Sequence, residues 1–501
     1  MPEKRSAVSS QQSTEGTKDT PEEGLCLVLS GDTSPVTLID SHCHLDMFGE
    51  DRSAVVQRAK DAGIESLLTI SSDFGSNLRN IEISGQFDSV YASVGIHPHD
   101  AKDCTEEVFA QIRTWAQGGL HSTLNTQHST LSSMVVAIGE TGLDYHYDHS
   151  PRDVQRELFR KHLSLAAETH LPVIVHSREA KDDTLKILSE SGIGRGVLHC
   201  FSGDADMAER AMAMGFLISI AGPVTFRKAG NLREIVRTIP DDSLLVETDA
   251  PYLAPEPLRG KRNEPAFLVH TVKKIAELRG VSPEDIARIT TLNARRLFGI
   301  DVAEEEGKIA YKIRDSLYLN ITNRCTNRCS FCVKFQSDYV KGHHLRLAHE
   351  PTEEELKSAI GNPSDFREIV FCGYGEPLLR LDLVKSLGRW IKDHGGRVRI
   401  NTNGQGNLIH GRNIAPELKD IADAVSVSLD AQDKETYDRI CIPSFSGAFS
   451  AVVSFIREAR KVVPQVQATV VEMEGVDIER CRLIADELGV PLRVRKRDVV
   501  G

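Results

Sequence analysis

The chain reads as two consecutive α/β domains, a (β/α)8 barrel followed by a partial barrel of six (β/α) units. Three observations predict this. From residue 37 onward, apolar and β-branched runs alternate with helix-patterned stretches. The first eight such units fill roughly 260 residues, the size and count of a closed barrel. Histidines and carboxylates follow strand after strand in those units, as they do where strand ends converge on one rim. A doubly wound open sheet would share the alternation, but nothing in it asks for functional residues after nearly every strand.

Residues 1–36 are largely polar at the start and lack the apolar core of a secretory signal, so they read as a disordered leader. The predicted barrel strands are 37–41, 66–70, 90–95, 134–139, 172–176, 196–200, 216–220 and 244–248. Asp153 to Thr169 reads as one of the intervening helices, with Leu158, Leu163 and Ala166 near one face. Gln117 to Ser133 breaks the rhythm. It is rich in Ser, Thr and His and reads as an exposed insertion, with His121 and His128 in solvated loop. The barrel is expected over 37–300 and an acidic linker over 301–315. A second array over 316–501 has strands near 317–321, 368–372, 397–402, 424–429, 466–472 and 492–496. Six strands are too few to close an eight-fold barrel and suit an open one. The last strand, Leu492 to Lys496, is basic.

At 501 residues, with 40% hydrophobic and 26% charged, the chain is long enough for two sizeable cores. No apolar run reaches the ~18 residues of a membrane span, so no membrane partner is expected. The net charge of −12 disfavours broad non-specific contact with nucleic acid. Any phosphate substrate must then meet a local basic patch or bound metal. Ten cysteines, several inside apolar strands, suit a reducing, cytoplasmic compartment. Only Cys325, Cys329 and Cys332 form a tight cluster.

His42 and His44 stand two residues apart at the end of the first strand, so their side chains share a face. Glu140, His176, His199 and Asp249 follow the fourth, fifth, sixth and eighth strands. Each alone could be a hydrogen-bonded structural residue, and Asp249 before Ala250-Pro251 a turn residue. Six in register at strand ends form a ligand set. Four imidazoles and two carboxylates are enough for two divalent ions, whether zinc, magnesium or manganese. Asp249 suits the part of ligand and proton acceptor for an attacking water. Arg178, just past His176, fits either a phosphate oxygen or a surface ion pair. Arg227 and Lys228 after the seventh strand, with Lys261 and Arg262 after the eighth, are the candidate basic patch.

Six segments appear in order: Ser41-His42-Cys43-His44-Leu45-Asp46, Gly95-Ile96-His97-Pro98, Gly139-Glu140-Thr141-Gly142-Leu143-Asp144-Tyr145, His176-Ser177-Arg178, His199-Cys200-Phe201-Ser202-Gly203 and Glu247-Thr248-Asp249-Ala250-Pro251-Tyr252. Together they resemble the motif series of the TatD-family hydrolases. The resemblance implies a TIM-type barrel and metal-dependent phosphodiesterase activity of the DNase or exonuclease type, with DNA or another phosphodiester as substrate. It further implies that His42, His44 and Asp249 hold one ion, His176 and His199 the other, and Glu140 bridges. His97 would contact substrate. The same ligand chemistry also serves hydrolases of small amides or esters, and a fold does not fix its function.

In the second array, Cys325, Cys329 and Cys332 follow the first strand at CxxxCxxC spacing. Structural zinc asks for four ligands, and no fourth Cys or His has suitable nearby spacing; Cys372, the only rival, sits in an apolar strand. Three thiolates suit a [4Fe–4S] cluster with one iron open. The spacing, with Phe331 before the last Cys, resembles the radical-SAM superfamily. Gly373-Tyr374-Gly375-Glu376-Pro377 is similar to that family's GGEP element, with Tyr374 in place of the first Gly. The resemblance implies S-adenosyl-L-methionine (SAM) as cofactor, an electron donor for the cluster, and cleavage to a 5′-deoxyadenosyl radical. Gly373, Gly375 and Glu376 would then face the SAM amino group, and Asn401 or Ser428 its ribose or methionyl part. Asn401 and Ser428 also read as turn residues. The whole chain resembles a TatD-linked radical-SAM family, whose substrate the residues do not name.

Overall fold

The computed structural model describes residues 37–118, 134–300, 306–335 and 337–496. The leader 1–36, most of the 117–133 insertion with His121 and His128, and residues 301–305 of the linker lie outside the described residues.

Eight strands build the first sheet: β1 (Leu38–Cys43), β2 (Ile64–Thr69), β3 (Val90–Val94), β4 (Val135–Asp144), β5 (Val173–Arg178), β6 (Gly196–Leu198), β7 (Phe216–Ile220) and β8 (Leu244–Val246). Their spatial order is their chain order, and every neighbouring pair is parallel. The ring closes just beyond β8. The amide of Asp249 donates to the carbonyl of His42 at 2.9 Å, and that of His44 to Ala250 at 2.7 Å. The expected barrel is therefore present, and closure draws the two ends of the ligand series together.

The barrel interior is a packed apolar core, with Ile39, Leu68, Val136, Ile174 and Leu245 contributed by β1, β2, β4, β5 and β8. From below, Leu297 and Phe298 of the helix Pro283–Phe298 complete that cluster. This helix starts where its sequence says it should: Ser282 and Asp285 form a capping box, Pro283 is its first residue, and Gly299 ends it at φ +68°. The end of the barrel away from the ligand residues is thus plugged.

The second sheet has seven strands: β9 (Ala310–Ile313), β10 (Ser316–Leu319) and, after the short hairpin β11 (Tyr339–Val340) and β12 (His343–His344), β13 (Glu368–Phe371), β14 (Val398–Thr402), β15 (Ala424–Ser428), β16 (Gln465–Glu472) and β17 (Leu492–Lys496). Strands β10 and β13 to β17 run parallel, the six expected units. The seventh, β9, is an antiparallel edge built from residues that read as linker. Its short, weakly apolar sequence gave no strand signal because an edge strand buries only part of its surface.

The two domains touch through the β11–β12 hairpin. Lys341 pairs with Asp241 at 2.8 Å, and the Arg296 guanidinium lies 5.4 Å over the Tyr339 ring. Asp241 precedes β8 and Arg296 sits on the plugging helix, so the contact is at the end of the barrel opposite the rim.

Candidate metal centre and cysteine loop

All six expected ligands meet at the rim. Glu140 is at the centre, 3% exposed. Its Oε1 lies 2.7 Å from His199 Nε2 and 3.0 Å from His176 Nδ1, while its Oε2 faces His42 Nε2 at 3.5 Å. Asp249 Oδ1 stands 3.4 Å from His44 Nε2 and 3.8 Å from His42 Nε2. Asp249 holds φ +56°, a conformation unusual for a non-glycine residue and typical of functional sites. Gly142 lets β4 and β5 approach: at φ +134°, its missing Cβ would stand 2.0 Å from the carbonyl oxygen of His176.

The donor set fits metal. His42 is wholly buried, yet neither of its ring nitrogens finds a hydrogen bond, and Nδ1 of His199 and Oε2 of Glu247 are likewise unpartnered. Buried polar atoms without partners call for an ion or water. Burial alone would raise the pKa of Glu140, but His199, His97 and His176 overcome it and keep the carboxylate ionised. Burial, with the neighbouring His199, lowers that of His42, leaving a neutral imidazole able to ligate.

His97 Nε2 reaches Glu140 Oε1 at 3.4 Å, as near to that carboxylate as His42 is. Arg178 lies 4.7 Å over the Tyr147 ring, and among the described residues no carboxylate is paired with it. Of the basic patch, Arg227, Lys228, Lys261 and Arg262 are exposed, though Arg262 also donates to the carbonyl of Met47 and covers Phe48.

In the second domain the cysteine loop follows β10. Cys325 is exposed, and Cys329 and Cys332 are half-buried. The glycines that flank Tyr374 press on this loop: a Cβ on Gly375 would stand 2.3 Å from the carbonyl oxygen of Arg324, and one on Gly373 2.3 Å from Asn320 Oδ1. Glu376 is buried, and its carboxylate accepts from Thr402 Oγ1 at 2.8 Å and from the amides of Asn403 and Leu378 at 2.7 and 2.9 Å. Tyr374 is equally buried; its hydroxyl meets Asp338 Oδ1 at 2.7 Å and the Ser337 carbonyl at 2.8 Å, tying down the segment after Cys332. Asn401 and Ser428 lie on β14 and β15, with Asn401 Oδ1 buried and unpartnered. Three free thiols on one loop, beside an open amide carbonyl, suit an iron–sulfur cluster and an organic cofactor. No fourth cysteine lies at suitable nearby spacing in the chain, but the fold brings a distant one close. Cys441 is brought opposite Cys329, because the amides of Arg328 and Ser330 donate to the carbonyls of Cys441 and Ile440 at 3.0 and 2.8 Å. It lies 112 residues further along, where no spacing rule would look for it.

The family model described as TatD related DNase matches residues 39–299, just over half of the chain. The chain belongs to the TatD-related DNase family. A second model, the radical SAM superfamily, matches residues 319–488. An uncharacterized metal-dependent hydrolase, YabD of Bacillus subtilis, is 43% identical over 269 residues, 53% of this chain and 100% of that protein. Another, YcfH of Escherichia coli, is 40% identical over 273 residues, 53% of this chain and 97% of that protein. The protein of Erwinia amylovora named 3'-5' ssDNA/RNA exonuclease TatD is 38% identical over 261 residues, 50% and 95% of the respective chains. The chain is thus a metal-dependent TatD hydrolase domain joined to a radical-SAM domain.

Around the TatD site the structure adds residues that the sequence reading passes over. Asp144 Oδ2 bonds His176 Nε2 at 3.1 Å and His99 Nε2 at 3.0 Å, fixing the His176 ring so that Nδ1 points to Glu140. Burial opposes ionisation of Asp144, yet His176, the Tyr147 amide and His99 hold its pKa well below the usual carboxylate range. Glu247 accepts from the Cys200 amide at 2.5 Å and lies 3.5 Å from His199 Nδ1. Both are in quoted motifs. Asp144, two alternations beyond Glu140 on one strand, shares its face and could have been found from spacing alone.

Proposed function

We propose that the TatD domain is a two-metal phosphodiesterase of the DNase or exonuclease type. The radical-SAM domain, on the same reading, acts with SAM, a [4Fe–4S] cluster and an external electron donor on a substrate of its own. One observation carries the first part: the two oxygens of Glu140 are divided between two histidine sets, Oε2 toward His42 and Oε1 toward His176 and His199. His42, His44 and Asp249 would hold one ion, His176 and His199 the other, with Glu140 shared. Zinc, magnesium or manganese, when bound there, would acidify water and steady the oxygens of a phosphodiester.

The chain's own groups supply the rest. Asp249 Oδ1 takes the proton of the attacking water and shares it with His44, 3.4 Å away. Arg178, held flat by Tyr147, contacts a non-bridging oxygen, and His97 reaches the substrate from the side of Glu140. The polymer reading has support from the rim. Among the described barrel residues, every exposed large hydrophobic (Met47, Phe74, Leu78, Tyr147, Tyr252 and Leu253) lies on the loops or helix start after β1, β2, β4 and β8. Aromatic faces beside arginines suit unstacked bases, and one relative is named as a single-strand exonuclease.

Incubation of the full chain with single-stranded DNA and each divalent ion tests this. Wild type should degrade the DNA, and His176→Ala should lose more than about 100-fold of the rate. DNA left intact while a small amide is hydrolysed would replace the nuclease reading with that of an amidohydrolase.

In the second domain, Cys325, Cys329 and Cys332 would hold the cluster, which with SAM supplies reductive cleavage of the sulfonium. The Gly373–Glu376 turn would receive the SAM amino group, and Asn401 and Ser428 its ribose or methionyl part. Support comes from the unpartnered Asn401 Oδ1 and the close seating of Gly375 on the cysteine loop. Anaerobic reconstitution with iron and sulfide, then SAM and a reductant, should yield 5′-deoxyadenosine. A cluster shown to be present but giving none would refute the radical reading.

A further inference from the structure

The cysteine loop is clamped by the segment that follows the helix Lys434–Cys441. The amide of Arg328 donates to the carbonyl of Cys441 at 3.0 Å, that of Ser330 to Ile440 at 2.8 Å, and that of Ser444 to Thr326 at 2.8 Å. Asn327 and Pro443 form a β-bridge. Cys329 therefore sits between two amides bonded to the carbonyls of Ile440 and Cys441, in the manner of paired strands, whose Cα atoms are about 5 Å apart. That spacing is inside the roughly 4.4–6.8 Å a disulfide requires. Cys441 has no exposed surface and stands opposite Cys329 in the register of that bridge and those amide bonds. Nothing in the hydrolase or cluster reading uses it.

We propose that Cys329 and Cys441 form a reversible disulfide in the cluster-free chain, an oxidative modification that withdraws one of the three cluster thiols. Cys329, half-buried, is the member a small disulfide such as oxidised glutathione reaches. Its thiolate attacks the glutathione disulfide, forming a mixed disulfide and releasing one glutathione thiolate. The Cys441 sulfur, giving up its proton, then attacks the Cys329 sulfur and displaces the second. Two protein thiols are oxidised by two electrons and one glutathione disulfide is reduced to two glutathiones. The two protons lost by the cysteines are those the glutathiones take up. The bond closes a ring across 112 residues of chain, joining the cysteine loop to β15's following helix. Dithiol reductants reopen it and free Cys329 for iron.

The disulfide stands on the packing of Cys441 alone; only its consequence for iron rests on the cluster reading, and the test separates the two. The full chain is stripped of iron anaerobically, exposed to oxidised glutathione, alkylated under denaturing conditions and mapped by tandem mass spectrometry. The expected product joins the tryptic peptides 329–334 and 440–457 through Cys329 and Cys441, with Cys325 and Cys332 alkylated. A Cys329–Cys332 or Cys325–Cys329 bond in its place, or a Cys441 that stays fully alkylatable, would overturn the proposal. Iron and sulfide are then offered with and without dithiothreitol. Without it, the oxidised wild type should lose about nine-tenths of its iron uptake, since a cluster needs all three thiolates, while Cys441→Ser keeps most of it. Disulfide mapping of the wild type does not depend on how that variant folds. A linked Cys329–Cys441 with undiminished iron uptake would retain the disulfide and overturn the assignment of Cys329 as a cluster ligand.

Discussion

At Gly142 a single hydrogen separates a formed site from a broken one. Any Cβ there would meet the His176 carbonyl oxygen at 2.0 Å, and φ is +134°, a conformation that L side chains rarely adopt. Because Gly142 and His176 are register partners on β4 and β5, relief of the clash must part the two strands that carry Glu140 and His176. Gly142→Ala is expected to destabilise the chain by about 3 kcal/mol or more, read as a lowered urea midpoint. An unchanged midpoint would mean that the strands yield freely and that the close approach is incidental. Other residues were legible from the chain alone. The six candidate ligands announce themselves because polar residues at apolar strand ends have few bland explanations in such number. Asp144 was readable from its alternation with Glu140. Cys441 was not, since helix ends carry no spacing rule that relates them to a loop more than a hundred residues away.

Among the elements, the helix Pro283–Phe298 has the largest structural duty for its length. It closes the barrel floor with Leu297 and Phe298 against strand residues such as Ile39 and Leu245. Leu297→Ala leaves a void against those buried strand residues, so a loss of about 2–5 kcal/mol is expected, with metal content per folded molecule unchanged. Calorimetric unfolding beside metal analysis checks both; a loss of metal at full stability would show that floor and rim are coupled. The helix was readable in its boundaries, through Ser282, Pro283 and Gly299, but not in its partner. Its apolar face says that something is covered, and only closure of the barrel says what. Strand β9 is the opposite case, invisible in the sequence because its pairing comes from β10 and its own residues add little.

For the whole molecule, charge and placement decide the most. The hydrolase rim and the hairpin contact with the second domain lie at opposite ends of a plugged barrel, so the two sites share no passage through it. No helix among the described residues is long and apolar enough to cross a membrane. With a net charge of −12, the grip on a polymer must be local. Replacing Arg227, Lys228, Lys261 and Arg262 by Gln should weaken cleavage of polynucleotide and flatten its salt dependence, by a slope of up to about 0.7 per removed contact on single strands. Cleavage of a small aryl phosphodiester should be spared. Equal loss on both substrates would remove these residues from polymer binding.

The sequence by itself determined the two domains, the closed and open barrels, the strand-end placement of the six candidate ligands and the three-cysteine loop. These depend on periodicity and on residue types at strand ends, which are local properties of the chain. Only the tertiary structure decided how Glu140 divides its oxygens, that Asp144 and Glu247 back the histidines, and that Cys441 stands against Cys329. Those are distances between residues remote in sequence, fixed by strand closure and helix packing, and no local pattern encodes them.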